Sequence, residues 1–213
     1  GPAYTSIVGG GANGCILHYI ENKDMLKNGD LVLIDAGCEY EDYASDITRT
    51  FPVNGKFSDE QAAIYDIVLK ALKEAIDVTQ AGTPYNKTNE TTIRVITEGL
   101  VELGLLKGDI NDLIKAEAHR EFYMHGAGHW LGLDVHDVGD YKIDGEWRIY
   151  EPGMVVTIEP GIYISPKNKK VDTKWRGIGV RIEDDIVITK TGNINLTSKV
   201  PKERNEIEKM MAK

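Results

Sequence analysis

Short apolar runs bounded by turn residues occupy the two ends of the chain, and stretches of helical spacing fill its middle. Tyr4 to Val8 reads as a strand, followed by a glycine-rich stretch from Gly9 to Gly14 and a further β-like run from Cys15 to Tyr19. Asn28-Gly29-Asp30 is a turn signal that opens a short apolar strand, Leu31 to Ile34, ending at Asp35. Residues 38–53 read as a second strand paired back onto it. Ser58, with Gln61 three residues on, forms a capping box, and the helical pattern it opens runs to about Thr79. A second helix extends from about Thr88 to a stop at Gly104, and a short helical piece is expected near residues 110–120. Strands return at about 131–136, 154–164 and 178–189, and a helix from about Lys202 closes the chain. The order strands, helices, strands, helix predicts an α+β fold with mainly antiparallel pairing, in one domain covering residues 1–213.

Composition narrows the class. The 213 residues, 41% of them hydrophobic, suit one sizeable core. A formal net charge of −9 weighs against a non-specific nucleic-acid binder, which needs a basic face. No apolar run approaches the roughly 20 residues of a membrane span, and no basic start followed by an apolar stretch reads as a signal peptide. Cys15 and Cys38 fit neither CxxC nor Cys/His finger spacing, which weighs against a disulfide framework or a structural zinc site. The expected setting is the reducing cytoplasm, with neither nucleic acid nor membrane as partner.

Gly9 to Gly14 matches GxGxxG after a strand, but a dinucleotide site needs a helix next, and Cys15 to Tyr19 is too β-like for one. The sequons at Asn86, Asn89 and Asn195 carry no weight without a secretory context. Gly29 to Gly37 echoes Gly153 to Gly161: turn, apolar strand, acid (Asp35 or Glu159), small residue or proline, glycine. Such an echo arises by chance, or from two related hairpins that each deliver a carboxylate to one place.

Three of the five histidines, His125, His129 and His136, fall in a twelve-residue window rich in glycine. That window is either a solvated loop or a binding site approached closely by backbone. The absence of HExxH argues against a helix-borne zinc protease. Asp35 and Asp46 lie on neighbouring strand candidates, and Arg181 and Glu183 share one face of a strand whose other face is apolar. Unpaired buried carboxylates are too costly to keep charged. Two divalent ions would bring four such carboxylates close to neutrality, and oxygen ligands with one imidazole suit manganese better than a thiolate metal.

The set Asp35, Asp46, His129, Glu159 and Glu183 resembles the five-ligand dinuclear site of pita-bread metallopeptidases, and within them the aminopeptidase P (Xaa-Pro aminopeptidase) group. The stretches that carry the resemblance include Leu17-His18-Tyr19, Leu33 to Gly37, Ser45 to Pro52, His125 to Gly139, Thr157 to Gly161 and Lys174 to Ile188. It implies a pita-bread fold: a curved, mainly antiparallel sheet with helices on its outer face and an internal pseudo-two-fold. It implies that Asp35 chelates one metal, Asp46 and Glu183 bridge both, and His129 and Glu159 complete the second, with Mn2+ as the expected ion. His18, His125 and His136 match histidines that surround the metal ligands and bind substrate and, with Arg181, are implied to be catalytic; Tyr4 and Tyr163 are implied to contact substrate; His119 matches nothing functional and is expected at the surface.

The implied reaction is release of the first residue from peptides with proline second. A metal-held hydroxide attacks the carbonyl before proline, Glu159 carries the proton to the leaving nitrogen, and His136 bonds the carbonyl oxygen. His18 and His125 hold the proline side. Proline's tertiary amide lacks the N–H that ordinary peptidases use, so a dedicated pocket makes sense. Prolidase shares the ligands and is the alternative enzyme; a non-catalytic peptide- or partner-binding relative is the alternative of another class. Family members are usually considerably longer, opening with an N-terminal domain and further helices, and often form homo-oligomers. The sequence is therefore expected to represent the catalytic portion alone.

Overall fold

The computed structural model describes residues 1–212 and contains twelve short strands and four α-helices among them. The strands are β1 (Ile7–Gly10), β2 (Leu31–Asp35), β3 (Glu39–Tyr40), β4 (Tyr43–Ala44), β5 (Thr48–Pro52), β6 (Lys142–Ile143), β7 (Glu146–Trp147), β8 (Val155–Ile158), β9 (Gly161–Tyr163), β10 (Gly179–Arg181), β11 (Asp184–Thr189) and β12 (Gly192–Asn195). The helices are α1 (Asp59–Val78), α2 (Asn86–Glu102), α3 (Ile110–Lys115) and α4 (Arg204–Met211). No described helix is long and apolar enough to cross a membrane. Cys15 and Cys38 are both free thiols.

Two three-stranded antiparallel sheets, ordered β1-β2-β5 and β12-β11-β8, form the two halves, with the pair β9-β10 beside them. The sequence echo is a structural one. β2 is flanked on both sides by strands. β8 is flanked by β11 and, on its other edge, by residues 127–131, through Leu131 N–H to Val155 O, Thr157 N–H to His129 O and Glu159 N–H to Ala127 O at 2.8–3.1 Å. β2 ends in its carboxylate, Asp35, and β8 is followed directly by its own, Glu159. The halves are tied where the Glu183 N–H donates to the Thr48 carbonyl at 3.0 Å.

α1 forms as its capping box predicts: Ser58 Oγ accepts from Gln61 N–H and Gln61 Oε1 accepts from Ser58 N–H. Its buried face, Ile64, Tyr65, Val68, Leu69, Leu72 and Ala75, follows the helical period and shares one core with Val95, Ile96 and Leu100 of α2, with Ile158, Ile162 and Val180 of the sheets and with Ile182 just after β10. The helices thus cover one side of the sheets and leave the ends of β2, β8 and β10 facing a common cavity.

Several expectations need correction. The first strand lies at Ile7–Gly10 instead of Tyr4–Val8. Residues 11–15 form a 3-10 turn and 16–19 are not a strand. The glycines there serve packing: a Cβ on Gly179 would lie 2.3 Å from the Gly14 carbonyl, so this segment rests directly on β10. Residues 38–53 are not one strand; Tyr40 and Tyr43 turn a small hairpin before β5 begins. No strand covers 131–136: the pairing with β8 runs over residues 127–131 and ends at Leu131, where the apolar pattern places the start of the strand. The hairpin β6-β7 and strand β12 carry too little apolar alternation to be predicted.

Candidate metal centre and active site

Asp35, the last residue of β2, stands opposite Thr48 of β5. Asp46 lies two residues before β5, in the connection from β4, and not on a strand as expected. Glu159 sits between β8 and β9, and Glu183 between β10 and β11. His129 comes from the segment bonded along β8, where Gly128 permits the approach: a Cβ there would fall 1.9 Å from the Thr157 carbonyl. These five residues, with His18, His125, His136 and Arg181, line one cavity of about 230 Å³. Ligand atoms of Asp46, His129 and Glu183 lie within 4.8 Å of one another. His129 Nε2 is 3.4 Å from Asp46 Oδ2 and 3.7 Å from Glu159 Oε1.

The surrounding bonds orient these groups. His129 Nδ1 is 2.9 Å from the Trp130 carbonyl, which can only accept, so Nδ1 carries the hydrogen and Nε2 faces the carboxylates. Glu183 Oε2 accepts from Thr48 Oγ1 at 2.7 Å. Arg181 donates to Asp35 Oδ2 at 2.7 Å, to the Tyr163 hydroxyl at 3.1 Å and to Thr48 Oγ1 at 3.2 Å. Asp185 Oδ2 accepts the Asp46 backbone N–H at 3.2 Å.

Charge is crowded here. Burial, reinforced by the Glu159, Asp46 and Asp35 charges, holds the Glu183 carboxyl well above the usual carboxylate range. Burial pushes Glu159 up to about 7 against the pull of His129 and Arg181. For His129, burial favours the neutral ring, but the hydrogen bond to Asp46 and the Glu159 charge outweigh it and raise its pKa. The Tyr4 hydroxyl lies 2.5 Å from both Asp35 Oδ1 and Asp46 Oδ1. Its one hydrogen serves one carboxylate at a time, so the other contact requires a further proton or a cation. Four carboxylates and one imidazole nitrogen form a donor set suited to divalent ions that accept oxygen ligands. The side chains therefore fit a metal centre held by Asp35, Asp46, His129, Glu159 and Glu183.

The histidines differ in what they offer. His125 Nδ1 is 2.8 Å from the Gly126 carbonyl and its Nε2 is 2.8 Å from the Tyr163 hydroxyl. Both nitrogens are engaged, and burial lowers its pKa to about 4, so the ring is neutral and presents a surface. His136 stands edge-on to His129, ring centroids 4.4 Å apart, and is exposed like His18 at the cavity mouth. Tyr4 and Tyr163 stand behind the lining and bond to it. His119, expected at the surface, is only 5% exposed, and its Nδ1 has no partner. It follows a left-handed Glu117 that turns the chain inward.

Thr48, Asp185 and Arg49, which Nη1 ties to the Glu183 carbonyl at 2.6 Å, were not among the expected site residues. Thr48 and Thr50 alternate along β5, and that period, read as an inward polar face, is the signal that points to Thr48.

The model of metallopeptidase family M24 matches residues 1–190. Xaa-Pro aminopeptidase of Escherichia coli is 59% identical over 210 residues, covering 99% of this chain and 47% of that protein. The structure of Pseudomonas aeruginosa aminopeptidase PepP superimposes with a TM-score of 0.98 at 62% identity, covering 99% of this chain and 48% of that one. A variant of Escherichia coli aminopeptidase P in complex with substrate matches with a TM-score of 0.95 at 58% identity, with the same coverage. The chain spans about half the length of the relatives it matches. Its pita-bread fold is that of the aminopeptidase P structures, and the chain belongs to metallopeptidase family M24.

Proposed function

We propose that this chain hydrolyses the N-terminal Xaa-Pro bond of peptides, releasing the first residue, with two Mn2+ ions as cofactors. The observation that carries the reading is the convergence of Asp35, Asp46, His129, Glu159 and Glu183 on one cavity that His18, His125 and His136 also line. The similarity to Xaa-Pro aminopeptidases supports the same substrate class.

Bound divalent ions would supply a Lewis acid and an activated water nucleophile. The protein's own groups do the rest. Glu159, pushed up to about 7, is placed to take a proton at its carboxylate and release it to the leaving proline nitrogen near neutral pH. His136, its pKa lowered chiefly by desolvation, is a neutral donor for the scissile carbonyl oxygen as charge develops there. His125, locked between Gly126 and Tyr163, offers its ring to the proline without competing for the proton. Arg181 holds Asp35 and, through Tyr163, His125 in one register.

The test is release of the first residue from an Xaa-Pro-Yaa tripeptide and from an Xaa-Pro dipeptide, with Mn2+ and with chelator. Chelator-sensitive tripeptide cleavage is expected. Cleavage of the dipeptide alone would replace the reading with prolidase, and cleavage of neither would favour a peptide-binding role.

A further inference from the structure

A second concavity, of about 440 Å³, adjoins the candidate active site. Gly126 and Gly128 line both, so only a stretch of glycine-rich backbone separates them. The outer wall is aromatic, formed by Tyr85, Tyr141 and Trp147, with Glu90 at its polar edge. Tyr85 is fixed in place: its hydroxyl donates to the Gly128 carbonyl at 3.0 Å, and its ring packs edge-on to Tyr141 with centroids 4.9 Å apart. Tyr141 and Trp147 remain 38% and 40% exposed, although both are large apolar rings lining a hollow. The peptidase mechanism uses none of these aromatic side chains.

We propose that this groove is a subsite for an apolar or aromatic side chain carried by the peptide beyond its proline. The inference rests on the peptidase reading above. Its direction follows from chemistry. The scissile carbonyl must reach the ligand cluster, and the first residue ends in the same cavity, since no residue precedes it in the peptide. Only the chain on the proline side is then free to leave the cavity. His125, placed against the proline, precedes Gly126 directly and bonds to its carbonyl. A peptide continuing past the proline therefore crosses Gly126, where a Cβ would meet nothing nearer than the Gly128 carbonyl at 3.9 Å and no side chain blocks close approach, and meets the aromatic wall. Glu90 disfavours a terminal carboxylate at that point, so the subsite suits longer or amidated peptides.

The test is calorimetric binding of Pro-Phe-amide and Pro-Gly-amide to the Mn2+-loaded chain. The phenylalanine ligand is expected to bind at least about tenfold more tightly, as burial of one aromatic side chain allows. Trp147→Ala should bring the ratio close to unity, and Trp147→Phe, which keeps a ring at that place in the wall, should retain most of it. Equal affinities in the unmodified chain, or a ratio unmoved by Trp147→Ala, overturn the subsite. Turnover of Ala-Pro-Phe and Ala-Pro-Gly is read alongside. Binding preference without turnover removes the peptidase reading and leaves the groove standing, whereas turnover without preference does the reverse.

Discussion

Thr48 and Glu183 are joined twice: Thr48 Oγ1 donates to Glu183 Oε2 at 2.7 Å, and the Glu183 N–H donates to the Thr48 carbonyl at 3.0 Å. The pair closes the seam between the two halves of the fold and fixes the direction of a buried carboxylate at the metal centre. Thr48 Oγ1 also accepts from Arg181, so one hydroxyl sets two members of the site. Thr48→Val keeps the shape and removes only the hydroxyl. Loss of such a supporting bond typically costs about 10–100-fold in metal affinity. Mn2+ titration should show that loss in Thr48→Val and near-normal affinity in Thr48→Ser; equal affinities in all three proteins would deny the bond any part in holding the ligand.

Asp46 is the carboxylate on which most of the site converges. It faces His129 Nε2 at 3.4 Å, shares Tyr4 with Asp35 and has its backbone held by Asp185. Asp46→Ala should abolish tight binding of the second Mn2+ as well as turnover. A variant that still bound two ions tightly would remove Asp46 from the bridging role.

Metal removal should expose the cost of the crowded acids, with a definite sign in pH. Burial pushes both Glu159 and Asp185 up to about 7, above their unfolded values. Their contribution to stability is fully present below the unfolded carboxylate pKa and is lost as pH rises through about 7. The chelated chain should therefore melt lower at about pH 8 than at about pH 6.5. Mn2+ binds the ionised acids and should reverse this trend; at about 100 times Kd it adds about 2.7 kcal/mol. Thermal scans with chelator and with saturating Mn2+ at the two pH values check both parts. A flat chelated profile would mean these acids do not carry the cost.

Much of this site is legible in the sequence, because its ligands lie at the ends of apolar strands and beside glycines. Asp35 and Glu159 share a local pattern strong enough to show as an echo, and α1 is announced by Ser58 and Gln61. What escapes is long-range. Nothing local distinguishes Thr48 from an ordinary strand threonine, since its partner Glu183 is 135 residues away. The displaced pairing at 127–131 has the same origin: glycines with no strand propensity are drawn into register by β8. His119 matches no functional position and so reads as a surface residue, and the left-handed Glu117 that precedes its burial leaves no trace in the pattern.

Arg49 joins this seam to the end of the chain. Its guanidinium donates to the carbonyls of Thr48 (2.9 Å), Glu183 (2.6 Å), Val200 (3.1 Å) and Pro201 (3.2 Å), and to Asp184 Oδ1 at 2.7 Å. Asp184 is also held by Lys202, Asn195 and Thr197. Burial alone would raise the Asp184 pKa, but Arg49 and Lys202 outweigh it and the net shift is downward. Removing the guanidinium strands a buried acid and several carbonyls. Breaking such a pair from one side costs about 3–5 kcal/mol. Arg49→Met should show that loss in urea unfolding of the chelated chain. Arg49→Lys keeps the charge, but an ammonium cannot reproduce the planar fork across five oxygens, so it should recover only part of the stability. Because Arg49 grips the Glu183 backbone, both variants should also bind Mn2+ more weakly at temperatures where they remain folded. A drop in stability with unchanged Mn2+ affinity would confine Arg49 to anchoring the C-terminal segment; losses in both would establish that the anchor and the metal centre are set by one side chain.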